Sequence, residues 1–123
     1  MQTSHAAPPP AEADRVYEIA AELFGLMATP LRLKIISALC RGEKSVSDLL
    51  LEIETTQPNM SQHLGHLYRA GIRARRRDGV QMFDRVSNER AVALSRAVCT
   101  QIAIEMDDPQ AVEPAERLLM ARA

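Results

Sequence analysis

The chain has 123 residues, of which 46% are hydrophobic and 3% aromatic, and its net charge is −1. This length supports one small domain with a modest core, and the scarcity of aromatic side chains argues against single-stranded nucleic-acid binding by stacking. No apolar run approaches the ~20 residues that span a bilayer, and the N-terminal MQTSHAAPPP lacks the basic start and apolar core of a secretory signal. We therefore expect a soluble, cytoplasmic protein without a membrane segment.

The first part of the chain predicts a tail followed by two helices. Residues 1–12 are rich in Pro and Ala and are expected to form a disordered N-terminal tail. Apolar residues at helical spacing predict a first helix over residues 14–28. A second helix is predicted to begin at Pro30, because Thr29 is a good N-cap and proline is tolerated in the first turn, and to end at Gly42.

Two further helices follow. Ser45 and Asp48 have the spacing of a capping box, which predicts a short third helix starting there. Thr56 is the expected N-cap of a fourth helix, in the stretch QPNMSQHLGHLYRAG. One face of this fourth helix is apolar and is expected to pack against the core; its members are Met60, Leu64 and Leu67. The other side of its first half is polar.

A basic β-hairpin is predicted after the fourth helix. Asp78-Gly79 is a strong hairpin-turn dipeptide, and its flanks, residues 73–77 and 80–86, predict two short strands. Residues 57–86 contain two acidic and six basic side chains, a local charge of +4; the basic ones are Arg69, Arg73, Arg75, Arg76, Arg77 and Arg85. Such a block indicates an anion-binding surface, although a solvated charged hairpin has the same composition.

The last part of the chain predicts a fifth helix and an acidic tail. Ser87 is the expected N-cap of a helix from Asn88 to about Met106. Residues 107–123 form an acidic C-terminal tail, in which residues 115–120 have the pattern of a last helical turn or two. The predicted order is α-α-α-α-β-β-α, which gives one mainly α domain over residues 13–106.

Two short helices joined by a short turn and followed by a basic hairpin form a winged helix-turn-helix. In this fold the third helix crosses the DNA backbone and the fourth lies in the major groove, where short polar side chains contact base edges or phosphates. On the fourth helix the candidate DNA-binding residues are Thr56, Gln57, Asn59, Ser61 and Gln62. On the hairpin they are Arg75, Arg76 and Arg77. Because strand residues alternate, Arg75 and Arg77 share one face and Arg76 takes the other.

Other functions have weaker support. No nucleophile elbow, phosphate-binding loop, Zn-hydrolase motif or Cys-x-x-Cys occurs, so we expect no enzyme and no cofactor. His63 and His66 lie three residues apart on the fourth helix, but without nearby carboxylates or thiols this pair is expected to be structural or DNA-facing rather than a metal site. A winged helix that binds another protein is the main alternative to DNA binding, and a strong salt dependence of DNA binding would separate the two.

The sequence resembles the ArsR/SmtB family of bacterial winged-helix repressors over about residues 14–106. The resemblance lies in the stretches MATPLRLKIISAL, GEKSVSDLL, QPNMSQHLGHLYRAG and RRRDGVQMFDRV. It implies a homodimer built from the first and fifth helices, which binds a palindromic operator in double-stranded DNA and releases it when an effector binds. The fifth helix fits this implication because it is apolar around much of its circumference.

Family members sense metals, arsenicals or reactive sulfur, and two of the family's metal sites are missing from this sequence. The third-helix site needs Cys-Val-Cys, where this chain has Ser45-Val46-Ser47, and hydroxyls are poor ligands for soft metals. The last-helix zinc site uses Asp and His, and no histidine occurs after His66. We therefore expect no metal at either place.

The two cysteines are the remaining candidates for an effector site. Cys40 at the end of the second helix and Cys99 in the fifth look like the arrangement of the thiol-switch members, which sense persulfides or oxidants by bridging such a pair. The match is displaced, because in those members the cysteines fall at the positions of Ser37 and about Ala103. Three interpretations stay open: a thiol switch, an inert pair, and an arsenical or metal bound by the same thiols. A constitutive disulfide is not expected in a cytosolic chain.

Overall fold

The computed structural model describes residues 10–107. Within them, five helices and a two-stranded sheet follow the predicted order α-α-α-α-β-β-α. The helices are α1 (Pro10–Leu26), α2 (Pro30–Cys40), α3 (Val46–Glu52), α4 (Gln57–Arg69) and α5 (Glu89–Asp107). The strands are β1 (Arg73–Asp78) and β2 (Gln81–Val86), paired antiparallel. The predicted winged helix-turn-helix is therefore confirmed, with α3 and α4 as the helix pair and β1–β2 as the wing.

The first helix starts earlier than predicted. α1 begins at Pro10 rather than Asp14, so residues 10–12 are helical and do not belong to a disordered tail. Proline is tolerated in the first helical turn, and the alanine and glutamate residues after it favour a helix. The rest of the predicted N-terminal tail, the residues after Asp107 and the predicted helical turn at residues 115–120 lie outside the described residues.

Three predicted N-caps are confirmed. The Thr29 hydroxyl accepts a hydrogen bond from a backbone N–H in the first turn of α2 at 3.1 Å, and the Thr56 hydroxyl accepts one from Asn59 at 3.2 Å. Ser45 and Asp48 form a capping box, in which each side chain accepts a hydrogen bond from the other residue's backbone N–H at 3.0–3.1 Å. These side chains satisfy N–H groups that have no partner within the helix, and so they fix where α2, α3 and α4 begin.

The predicted cap of α5 is wrong by one residue. Asn88, not Ser87, caps this helix, because the Asn88 side-chain oxygen accepts a hydrogen bond from the Ala91 backbone N–H at 3.1 Å. The Ser87 hydroxyl instead donates to the Gly71 carbonyl at 3.2 Å, and the Ser87 backbone N–H donates to the Ile72 carbonyl at 2.8 Å. Both bonds tie the end of β2 to the turn that follows α4.

The turn of the wing lies one residue later than predicted. Asp78 and Gln81 are paired, so the two-residue loop consists of Gly79 and Val80, and β2 begins at Gln81. Gly79 has a φ of 65°, which glycine adopts without steric cost and which suits the first loop position of a type II′ turn. The wing is thus a tight hairpin with Val80 at its exposed tip.

One hydrophobic core lies between the helices and the base of the wing. α4 contributes Met60, Leu64 and Leu67, the three residues predicted to face inward, and each is at most 1% exposed. The other buried apolar residues of this core are Met27, Ile35, Ile36, Ala38, Leu39, Leu49, Ile53, Ile72 and Ala91. Because α4 is held in the core by one face, its opposite face is presented outward.

α1 and α5 expose large apolar side chains. These are Val16, Tyr17, Ile19 and Phe24 on α1 and Val98, Ile102, Ile104 and Met106 on α5. Extensive exposed apolar surface marks an interaction site in many soluble proteins. Among the described helices, no single helix has the length and apolar composition of a membrane-spanning segment. α1 and α2 meet these criteria only when they are taken together, and the pair is bent by 94°.

Candidate nucleic-acid interface and thiol site

The first half of α4 presents the polar residues that the sequence singles out. All five candidates are exposed, namely Thr56, Gln57, Asn59, Ser61 and Gln62. Met60 lies among them in the sequence but is fully buried. The outer side of the helix therefore carries exposed hydrogen-bond donors and acceptors. Contacts with base edges in a major groove require such groups.

Most of these polar groups are not engaged inside the protein. Asn59 is an exception, because its side-chain amide donates to the Thr55 hydroxyl at 3.0 Å. Within residues 10–107, the side chains of Gln57, Ser61 and Gln62 form no hydrogen bond with other protein groups. Their amides and hydroxyl are therefore available to a partner.

His63 joins α4 to α2 and α1. Its Nδ1 accepts a hydrogen bond from Nε of Arg32 at 3.0 Å, and Nη1 of Arg32 donates to the Leu26 carbonyl at 3.1 Å. Burial lowers the pKa of His63, and the positive charge of Arg32 and the nearby His66 lower it further, so this contact favours the neutral imidazole. In the part of the chain that the structure describes, no three His, Cys, Asp or Glu side chains are grouped so as to hold a metal ion.

The three candidate arginines of the wing have different surroundings. Nε of Arg75 donates to the carboxylate of Asp84 at 3.2 Å. Arg76 makes a forked ion pair with Glu43, which lies between α2 and α3, at distances of 2.8–3.1 Å. Arg77 is exposed and forms no ion pair within residues 10–107. The structure therefore places all three on one strand but leaves only Arg77 without an internal carboxylate partner in the described region.

The Glu43–Arg76 pair competes with any external anion. The hydrogen bond from Arg76 lowers the pKa of Glu43, and the same bond raises the pKa of Arg76, so both groups are charged at neutral pH. Their side chains are 34% and 47% exposed, which allows the pair to open at small cost. A DNA phosphate must displace Glu43 before it can bind Arg76 at the same nitrogens.

A buried ion pair beneath the wing is missing from the sequence-based prediction. The Arg73 guanidinium lies 2.6 Å from the Asp84 carboxylate, and the two side chains are 5% and 1% exposed. The ion pair could have been inferred from the register of the hairpin. In this register Arg75 is opposite Asp84, and Arg73 is opposite Val86. Strand alternation then places Arg73, Arg75 and Asp84 on one face, as direct or diagonal neighbours.

The two cysteines lie on helices that pack together, α2 and α5. Cys40 is half-buried against the core, and Cys99 is exposed. Cys99 lines a surface cavity of about 400 Å³ with Ser37 of α2 and Arg41, which follows α2. It also lines a more apolar cavity of about 280 Å³ between α1, α2 and α5. Cys40 lines neither cavity, so the α2 residues that share a cavity with Cys99 include Ser37, one turn before Cys40, and not Cys40 itself.

Comparisons with known proteins give consistent matches. The family profile described as bacterial regulatory protein, arsR family, matches residues 29–72, which contain α2, α3 and α4. The Biofilm growth-associated repressor of Agrobacterium fabrum is 38% identical over 91 residues, covering 74% of this chain and 77% of that protein. The transcriptional repressor BigR from Xylella fastidiosa has a structure with a TM-score of 0.69 and 32% identity, covering 76% of this chain and 95% of that one. Reduced HlyU from Vibrio cholerae has a TM-score of 0.66 and 30% identity, covering 71% and 92%.

Proposed function

The chain belongs to the ArsR family of bacterial regulatory proteins, and we propose that it is a cytoplasmic, homodimeric repressor that binds a palindromic operator and releases it when reactive sulfur species or oxidants modify Cys40 and Cys99. Its relatives are DNA-binding transcriptional regulators and not enzymes. The observation that carries the DNA-binding role is the exposed polar first half of α4, held outward by the buried Met60, Leu64 and Leu67.

In the proposed complex α4 lies in the major groove and α3 crosses the DNA backbone. Gln57, Asn59 and Gln62 have side-chain amides, which bind adenine edges with two hydrogen bonds, and Ser61 has a hydroxyl that reaches a base or a phosphate. The wing supplies phosphate contacts, first through Arg77, which forms no ion pair within residues 10–107. These contacts position the protein, while the α4 amides supply the sequence preference.

The exposed apolar surfaces of α1 and α5 support a dimer. Phe24 and Val16 on α1 are 56% and 57% exposed, and Ile104 and Met106 on α5 are 56% and 58% exposed. A second copy that covers these helices would place two α4 helices on one side of the dimer. A palindromic operator with half-sites one helical turn apart, ~34 Å, matches such two-fold symmetry.

The thiol part of the proposal is supported by where the cysteines lie. Both are free, and they are on two helices in contact, one exposed and one half-buried. One cysteine thiolate would attack the outer sulfur of a persulfide donor, whose S–S bond breaks, so that the donor leaves as a thiolate and the cysteine becomes a persulfide. The second thiol then attacks the inner sulfur of that protein persulfide, a disulfide forms between Cys40 and Cys99, and hydrogen sulfide leaves. One of the similar structures is named as the reduced form of HlyU from Vibrio cholerae.

Linking α2 to α5 would change the dimer without blocking the DNA surface. α2 is hydrogen-bonded to α4 through Arg32 and His63, and α5 carries part of the proposed dimer surface. A covalent bridge between them would favour a dimer in which the two α4 helices no longer match successive major grooves. Release would then follow from a shift between two conformations of the dimer.

Two alternatives use the same fold. A repressor of the same kind could bind an arsenical or a soft metal through the two thiols, since thiolates are the ligands that such ions prefer. A winged-helix module that binds a protein and responds to no effector would need neither thiol. Treatment with arsenite tests the first alternative. The salt dependence of DNA binding tests the second, because a module that binds only proteins would show no strong salt-dependent DNA binding.

The Gln62→Ala variant is expected to bind the operator more weakly by about 1–3 kcal/mol, because it removes an exposed amide that forms base contacts. Fluorescence anisotropy with an operator selected from random duplexes measures this loss. A scrambled duplex serves as the control and should bind the variant and the parent equally well. Unchanged operator affinity would remove Gln62 from the base-reading set.

The Cys40→Ser and Cys99→Ser variants are each expected to bind the operator normally but to stay bound after treatment with glutathione persulfide. Each lacks one of the two sulfur atoms that the bridge needs. Adding Ser37→Cys to the Cys40→Ser variant should restore release, because Ser37 shares a cavity with Cys99. Release of either single variant by the persulfide would contradict the two-thiol mechanism. Release of the protein with both cysteines by arsenite, but not by the persulfide, would favour the alternative effector.

A further inference from the structure

A cluster of charged side chains is buried between the wing and the rest of the domain. Asp84 is 1% exposed, and its Oδ1 accepts hydrogen bonds from Arg73 at 2.6 Å and from Arg75 at 3.2 Å. Asp84 Oδ2 and Arg73 Nε are buried and lack a hydrogen-bond partner within the described residues. Well-packed apolar side chains are often as stable as such a buried pair. Stability alone therefore gives no reason for charges at these positions.

The cluster connects the wing to two other elements. The backbone N–H of Lys44, just before α3, donates to the Asp84 carbonyl at 3.0 Å, and the Asp84 N–H donates back to the Lys44 carbonyl at 2.8 Å. The Arg73 guanidinium lies over the Tyr68 ring of α4, 5.1 Å from its centroid. Asp84 thus sits where the wing meets both helices of the helix-turn-helix.

Arg75 is the member of the cluster that reaches the surface. Its side chain is 37% exposed although its Nε is bonded to Asp84. It lines a surface cavity with Ser45 and Ser47 at the start of α3. Within residues 10–107 the other two guanidinium nitrogens of Arg75 form no hydrogen bond, so they are available to a phosphate. With Nε bonded to Asp84, Arg75 presents its two terminal nitrogens to a phosphate.

We propose that Asp84 is a specificity-determining positioning residue, which fixes the wing and Arg75 relative to α4. This inference rests on the proposed DNA-binding function. Phosphate contacts carry no sequence information by themselves. When Arg75 is fixed relative to α4, its phosphate contact forms fully only where α4 also matches the bases, and it then favours the operator over other duplexes. The Asp84 charge also offsets positive charge that would strengthen binding to every duplex.

The Asp84→Asn variant tests this inference because it keeps the size of the side chain and removes its charge. Anisotropy would be measured for the selected operator and a scrambled duplex over a range of salt concentrations. We expect affinity for the scrambled duplex to rise about twofold or more, with a steeper salt dependence. Operator affinity should fall about fivefold, the low end of what one lost specific contact costs, so the ratio of operator to scrambled affinity falls about tenfold.

The Glu43→Gln variant is a matched control. It also removes one negative charge, from the exposed carboxylate that pairs with Arg76 of the same hairpin. It should strengthen binding to both duplexes by the same factor and leave their ratio unchanged. The Arg75→Gln variant keeps the buried Arg73–Asp84 pair. It should weaken operator binding more than binding to the scrambled duplex.

Equal changes of the affinity ratio in Asp84→Asn and Glu43→Gln would overturn the inference. If Asp84→Asn weakened binding to both duplexes by the same factor, the inference would also be overturned, because Asp84 would then act only through the stability of the fold. Melting curves establish whether Asp84→Asn is folded in the assay; where it is not, an unchanged ratio in Arg75→Gln overturns the inference instead. A wild-type protein that prefers no duplex at all would refute the proposed function itself, and this outcome is visible before any variant is tested.

Discussion

Replacing Arg73 with methionine is expected to lower the free energy of unfolding by about 3 kcal/mol or more, because Asp84 would remain buried without its nearest cation. The two side chains are 5% and 1% exposed and 2.6 Å apart. Arg75, which is 37% exposed and lies 3.2 Å from Asp84, offsets only part of the loss. Urea denaturation followed by circular dichroism measures the change, and the slope of the transition shows whether the unfolded states are comparable.

Arg85→Met is the matched control for this experiment. Arg85 is an exposed arginine on the same hairpin, so its replacement should change the free energy of unfolding by no more than about 0.5 kcal/mol. Similar losses in the two variants would mean that burial of the Arg73–Asp84 pair does not matter to stability. The assigned role of Asp84 at the base of the wing would then lose its structural basis.

Replacing Leu64 with alanine is expected to cost about 2–5 kcal/mol of unfolding free energy, because it leaves a cavity in the core under α4. Leu64 is 1% exposed and lies on the face opposite the exposed Gln62. Leu51→Ala on α3 is the matched control, since Leu51 is 88% exposed and its truncation should cost no more than about 0.5 kcal/mol. Thermal or urea denaturation decides, and equal costs would contradict the assigned packing of α4.

The parts of the fold that local chemistry determines could be predicted from the sequence. The caps at Thr29, Ser45 and Thr56 follow from side chains that bond backbone groups three residues away. The cap of α5 could not be chosen in this way, because Ser87 and Asn88 are both competent caps. A contact between distant parts of the chain decides between them, as the Ser87 hydroxyl is engaged by the Gly71 carbonyl.

The environment of the wing arginines could not be predicted from local charge. A count over residues 57–86 treats every charge as solvated and leaves out Glu43, which lies 33 positions before Arg76 in the sequence and pairs with it. It also treats Arg73 and Asp84 as surface residues, although both are buried. While the Glu43–Arg76 ion pair is closed, the count of +4 therefore overstates the positive charge that is available to bind DNA.

The cysteines illustrate a similar limit. The assignment of Cys40 to the end of α2 and Cys99 to α5 follows from helical periodicity and is confirmed. Which side chains of α2 share a cavity with Cys99 depends on how the two helices pack, and periodicity does not determine that packing. Ser37 and Arg41 line this cavity and Cys40 does not, which is why the Ser37→Cys addition is an informative variant.

Operator binding before and after treatment with glutathione persulfide is the most direct measurement of what this protein does. The selected operator would be titrated with reduced protein, with persulfide-treated protein, and with treated protein returned to a reductant. We predict tight, salt-sensitive binding that is lost on treatment and restored by the reductant. Equally tight binding before and after treatment would contradict sulfur sensing through Cys40 and Cys99, and would leave a repressor that responds to another effector or to none.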